Sequence, residues 1–129
     1  MSEEKTKQDL PVNFVTGDLF TRKYTFVTYT GGKNNIEEPT NFTVKKSEDN
    51  SELATIKFQD GAIKEYGVNG VMNEDLIAMV LTRLNFWQTT QFKCRENACA
   101  ITKLEEALMW LRKRTISREN RGVEGTHNI

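Results

Sequence analysis

Apolar residues change their spacing once along this chain, and the change divides it into a strand-forming part and a helical part. Arg22–Thr30 (RKYTFVTYT) is dense in aromatic and β-branched residues, which suit a pleated, half-buried surface, and it reads as a strand. Gly31–Asn35 reads as a loop. Asn41–Lys46 (NFTVKK) alternates as a short strand, and Ser47–Asn50 makes a polar turn. Glu52–Gln59 (ELATIKFQ) is a further strand. Asp60-Gly61 is a hairpin signal, so Ala62–Val68 (AIKEYGV) is expected to return beside it. The count is a small antiparallel sheet of about four strands.

After Asn69-Gly70 the period lengthens. Asn73 is placed as an N-cap, with Glu74 and Asp75 in the first turn, where acids offset the helix dipole. Leu76, Ile77, Val80, Leu81, Leu84 and Trp87 recur at helical spacing, predicting a helix to about Gln88. Thr89–Lys93 connects it to a longer helix from about Cys94 to Asn120, which Gly122 stops. In that second helix Asn97, Ile101, Leu104, Leu108, Leu111 and Thr115 step by four and three in turn, the seam of helix-on-helix packing. Ala100, Ala107 and Trp110 widen the apolar surface beside it. The expected fold is therefore α+β, a sheet followed by a two-helix hairpin. The boundaries are a flexible terminus at 1–10, a sheet region at 11–72, and the hairpin with its tail at 73–129.

Composition adds a need for partners. Only 37% of the 129 residues are hydrophobic and 28% are charged, which is lean for a monomer of this size and favours a core completed by oligomerisation. Net charge is zero but polarised. Residues 1–75 carry 13 acidic and 9 basic side chains, net −4, and residues 76–129 carry 5 and 9, net +4. Arg112, Lys113, Arg114, Arg118 and Arg121 face Glu119 alone in the last turns of the second helix. That cluster suits an anionic partner, and it equally suits a solvated helix end. The isoelectric point near 6.6 argues against broad affinity for DNA or RNA, which calls for a basic domain.

Catalytic signatures are missing. His127 is the only histidine, so a paired-histidine phosphodiesterase is excluded. Cys94 and Cys99 do not have zinc-ligand spacing and read as small hydrophobes on a helix. Phosphate-binding glycine loops, dinucleotide fingerprints and nucleophile elbows are absent. Glu105 and Glu106 are adjacent on a helix and form a solvated face. With no secretory or membrane-spanning run, the expected setting is the cytoplasm, with no membrane partner, no metal and no cofactor.

The run from Phe92 to Thr115 (FKCRENACAITKLEEALMWLRKRT), followed by Arg118–His127 (RENRGVEGTH), resembles the helical hairpin of two families of phage counter-defence proteins. One is the first type of Thoeris anti-defense protein; the other is the cyclic-nucleotide sponge that blocks CBASS immunity. The strands before the hairpin, with Phe58–Gly61 and Gly67–Gly70 leading into it, resemble the Thoeris type. That resemblance implies a non-enzymatic protein acting in the infected host. It would bind and sequester glycocyclic ADP-ribose signals made by TIR-domain proteins, without degrading them. It also implies dimers assembled to a hexamer, some members binding cyclic di- and trinucleotides at separate sites.

The family's pocket uses an aromatic residue late in the first helix, an asparagine early in the second and an arginine near its end. These positions fall on Trp87, Asn97 and Arg114, with Trp87 where Phe is usual. Phe86 is adjacent, and the sequence leaves open which ring faces the base. A second, cyclic-oligonucleotide site would draw on Arg118, Gly125, Thr126 and His127, with Arg121, Arg95 and Lys103 as further cations. Each residue type fits the task. Aromatic rings and guanidinium groups cover the faces of adenine, and asparagine offers both a donor and an acceptor. The bland alternatives are core packing for Trp87, a register-setting polar residue for Asn97, and a solvated tail. Other functional readings are a sponge for cyclic oligonucleotides only, a small nucleic-acid-binding regulator using Arg112–Arg121, and a helical assembly module with no ligand.

Overall fold

The computed structural model describes residues 12–129; the flexible terminus expected at 1–10 lies outside them. The chain falls into two compact units, divided between Val71 and Met72.

The first unit is a four-stranded antiparallel sheet in the order β1 (Asn13–Phe14), β2 (Thr25–Gly31), β3 (Pro39–Lys46) and β4 (Glu52–Lys57). Alternation along the strands sorts the side chains by face. Tyr29 pairs with Phe42 across the β2–β3 ladder, their ring centroids 5.5 Å apart. Phe42 meets Phe58 edge-on at 5.3 Å. In the β3–β4 turn, Ser51 donates its hydroxyl (2.7 Å) and its N–H (3.0 Å) to Asp49. These bonds hold the Asp49 carboxyl below its ordinary value.

The fully buried side chains of this unit are polar. Thr40 donates its hydroxyl to Glu38 O at 2.9 Å. Asp60, 2% exposed, accepts the backbone N–H of Lys33 at 2.7 Å and of Asn34 at 3.1 Å. The same contacts correct one expectation. Asp60-Gly61 is not a hairpin turn and Ala62–Val68 is not a strand. The Asp60 carboxylate is turned onto the Gly32–Asn35 loop, and Gly61 takes a left-handed φ of 85°. The chain leaves the sheet into a single helical turn, α1 (Ile63–Tyr66). The Gln59 amide holds that turn at both ends by donating to Gly61 O and Gly67 O. The fourth strand is instead β1, paired to β2 through Asn13↔Tyr29 and Phe14↔Thr28.

The second unit is a hairpin of α2 (Asn73–Trp87) and α3 (Arg95–Asn120). Asn73 is the first helical residue, not the cap. Met72 is the extended N-cap, and its N–H is taken by Asp75 Oδ2 at 2.8 Å. At the far end Gly122, with φ 73°, stops α3, and the N–H of Val123 returns to Arg118 O. The seam is as expected: Asn97, Ile101, Leu104, Leu108, Leu111 and Thr115 are half-buried, as are Ala100 and Ala107. Among the described residues Leu81 of α2 is the one buried hydrophobe, and no residue of α3 is fully buried.

Candidate functional site

The hairpin turn is built by side chains that close onto the backbone. Trp87 O accepts the N–H of Thr90 at 3.0 Å and its hydroxyl at 2.6 Å. That hydroxyl oxygen in turn accepts the N–H of Phe92 at 3.1 Å. Phe92 O accepts Asn97 Nδ2 at 3.4 Å. Cys94 is the extended N-cap of α3, and its Sγ accepts the N–H of Asn97 at 3.4 Å. Gln88, the C-cap of α2, bonds both backbone groups of Cys94: Nε2 donates to its carbonyl and Oε1 accepts its N–H, each at 3.1 Å. Trp87 and Asn97 are thus tied to the same turn. The two thiols are exposed, contrary to their expected packing as small hydrophobes. One caps a helix, and the other lies outside the seam.

Trp87 does not belong to the packed interior, although it continues the Leu84 period. It is 40% exposed and Phe86 is 66% exposed. Leu81 is buried and Leu84 half-buried, whereas Trp87, the last residue of α2, is exposed. The Arg83 guanidinium, one helical turn earlier, lies 5.6 Å from the Trp87 ring centroid. Met79, Val80, Phe86 and Trp87 are all exposed and lie away from the Leu81 seam, giving α2 a second apolar face.

Arg114 stands at the other end of the hairpin. It shares the unbroken helix α3 with Asn97, seventeen residues further along. At about 1.5 Å per residue this is roughly 25 Å. Arg114 is exposed, and its guanidinium has no hydrogen-bond or ion-pair partner among the described residues. Nearby, Arg112 reaches Glu119 at 3.8 Å, and Lys113 lies 5.0 Å from the exposed Trp110 ring.

The tail folds back on α3. One nitrogen of Arg118, Nη2, donates to Val123 O (3.0 Å), Thr126 O (3.0 Å) and Asn128 O (2.9 Å). Arg121 Nη1 donates to Ile129 O at 2.7 Å, and the Thr126 hydroxyl donates to Val123 O. Gly122 and Gly125 both have left-handed backbones. Gly125, Thr126 and His127 therefore lie in one loop, which Arg118 holds from the last turns of α3. There, Arg118 and the Thr126 hydroxyl already serve the chain's own carbonyls. Arg95 and Lys103 are exposed on α3, and among the described residues no hydrogen bond or ion pair joins them to that loop. The sequence reading missed Arg83 and Gln88. The first is marked by its i, i+4 spacing to Trp87, and the second carries no local signal at all.

The family model for the Acb2/Tad1 hairpin domain matches residues 50–115, a span that holds Trp87, Asn97 and Arg114 and ends before Arg118. A curated relative, "Thoeris anti-defense 1" of Bacillus phage SBSphiJ7, is 72% identical over 75 residues, 58% of this chain and 53% of the relative. The chain spans about half the length of the curated relative it matches. With half of its length matched by the family model, and with the two-helix architecture present, this chain belongs to the Acb2/Tad1 hairpin domain family.

Proposed function

We propose that this protein is a phage counter-defence sponge that binds glycocyclic ADP-ribose immune signals in the host cytoplasm and withholds them intact. The observation that carries the reading is the position of the three pocket residues inside the family-matched hairpin. The similarity to a protein named Thoeris anti-defense 1 supports the target pathway. Trp87 stacks on the adenine, with Arg83 behind its ring. Asn97 reads a base edge or ribose hydroxyl, and Arg114 pairs with the pyrophosphate or covers the second base face. Phe86 lines the same pocket. Binding needs no catalytic group, and the protein acts as a non-enzyme.

The length of α3 supports a pocket shared between two copies. A ligand of nucleotide size does not bridge roughly 25 Å, so Arg114 comes from a neighbour whose helix runs antiparallel. A two-fold dimer then holds two equivalent pockets. The second apolar face of α2 (Met79, Val80, Phe86, Trp87) supplies surface for self-association, and dimers assemble further to a hexamer. A separate site for cyclic di- and trinucleotides is formed by the tail loop with Gly125, Thr126, His127 and Arg121, organised by Arg118, with Arg95 and Lys103 contributing charge. DNA, RNA and membranes are not partners in this reading.

Equilibrium dialysis of the full chain against each linkage isomer of glycocyclic ADP-ribose tests the assignment. Wild-type protein retains at least one isomer, and Arg114→Ala retains none while eluting at wild-type oligomer size. An Arg114→Ala protein that binds as wild type would remove Arg114 from the site.

A further inference from the structure

Gln88 occupies an unusual place. It ends α2 immediately after Trp87, yet its side chain belongs to the start of α3. Its amide takes the N–H of Cys94 and gives an N–H to the carbonyl of Cys94, both at 3.1 Å. Cys94 is fully extended, with φ −159° and ψ 165°. The Gln88 amide therefore pairs with it as a neighbouring strand would, exchanging both bonds. From Cys94 the linkage continues to Asn97, whose N–H is held on Cys94 Sγ. On its other side Gln88 is bonded directly to Trp87. A half-buried side chain thus sets the path between the two pocket residues on this turn.

The residue type matters. A primary amide can donate and accept at once, whereas carboxylates only accept and lysine or arginine only donate. The other bonds across the turn are weaker restraints on Asn97. Its own side-chain bond to Phe92 O is long, at 3.4 Å, and the sulfur contact is the weak kind. Without the Gln88 pair, Cys94 loses its fixed extended geometry, and Asn97 is free to shift relative to Trp87.

We infer that Gln88 is a positioning residue of the nucleotide pocket, which it serves by pairing with the Cys94 backbone and not by touching ligand. The inference rests on the binding reading above. Losing a positioning residue lets a pocket loosen by fractions of an ångström, enough to weaken binding without unfolding the chain.

The test uses the full chain with glycocyclic ADP-ribose as probe and three proteins: wild type, Gln88→Met and Gln88→Glu. Methionine keeps the length and packing but neither hydrogen bond; glutamate keeps the acceptor alone. Titration calorimetry gives affinity, amide exchange at Cys94 reads the bond itself, and melting temperature reads the fold. The expected order of affinity is wild type, then Glu, then Met. Met is weaker by on the order of tenfold, and Cys94 exchange is faster in Met at an almost unchanged melting temperature. Wild-type affinity in Gln88→Met, with faster Cys94 exchange, overturns the inference. Unfolding of both variants also overturns it, by assigning Gln88 to the fold alone. Wild-type protein that binds no isomer overturns the binding reading and takes the inference with it.

Discussion

Asn97 and Arg114 stand on one unbroken helix, roughly 25 Å apart along its axis, while Asn97 and Trp87 are joined through a single turn. If all three serve one ligand, the arginine and the asparagine come from different copies. A complementation experiment follows. Asn97→Ala and Arg114→Ala proteins, each inactive alone, are tagged differently, mixed through unfolding and refolding, and purified as the heterodimer. One of its two pockets is then intact, so about half the wild-type amount of ligand per dimer is recovered. A heterodimer that recovers none places Asn97 and Arg114 of one chain in the same pocket.

In the proposed pocket Trp87 is the residue that stacks on the base. Base–aromatic stacking is worth about 1–3 kcal/mol, so Trp87→Ala weakens binding by about 5- to 150-fold. Trp87→Phe retains most of the affinity, since it keeps a flat ring. Phe86→Ala costs less than Trp87→Ala. Titration calorimetry on the three variants checks the order, and a larger loss at Phe86 would transfer the stacking role to that ring.

Leu81 in the hairpin and Asp60 in the sheet unit are both buried, and removing either one lowers the stability of its own unit. In the hairpin, Leu81→Ala removes the buried hydrophobe among the described residues and costs about 2–5 kcal/mol. In the sheet unit, Asp60→Ala leaves the N–H groups of Lys33 and Asn34 without their carboxylate. These bonds are part-buried, so losing each costs about 0.5–1.5 kcal/mol. Urea denaturation read at residues of each unit separately distinguishes the two losses. A shift below 0.5 kcal/mol in either variant, the range of an ordinary surface change, contradicts the corresponding role.

The helical half was legible because its signals are local and periodic. The three- and four-residue steps from Asn97 to Thr115 mark the half-buried side of α3, and Gly122 ends the helix where its left-handed backbone is needed. The sheet was legible in part. Asp60-Gly61 looks like a turn because both residues tolerate turn geometry. Its real role depends on Lys33 and Asn34, more than twenty residues away, which no local pattern reveals. Asn13–Phe14 is too short to register as a strand before its pairing with β2 is seen. At the candidate site, the family resemblance pointed to Trp87, Asn97 and Arg114, whereas residue type alone left Trp87 as plain core packing. Gln88 was invisible because its function lies in a bond to a backbone group six residues on.

Arg118 supports the tail instead of offering an open guanidinium. Arg118→Ala removes the donor shared by Val123, Thr126 and Asn128. The expected result is faster amide exchange across residues 123–129 and loss of cyclic trinucleotide binding, with glycocyclic ADP-ribose binding retained. Arg118→Lys rescues little, because an ammonium group does not reproduce the planar guanidinium. Trinucleotide binding unchanged in Arg118→Ala would detach the tail loop from that site.

The central claim is capture without conversion. The direct measurement is to saturate the protein with glycocyclic ADP-ribose, remove free ligand by filtration, denature the complex by heat, and identify what is released by mass spectrometry. The account predicts intact cyclic signal, recovered in proportion to protein and absent from the Arg114→Ala sample. Recovery of a linear or hydrolysed product, or of no nucleotide from the wild-type protein, would contradict it.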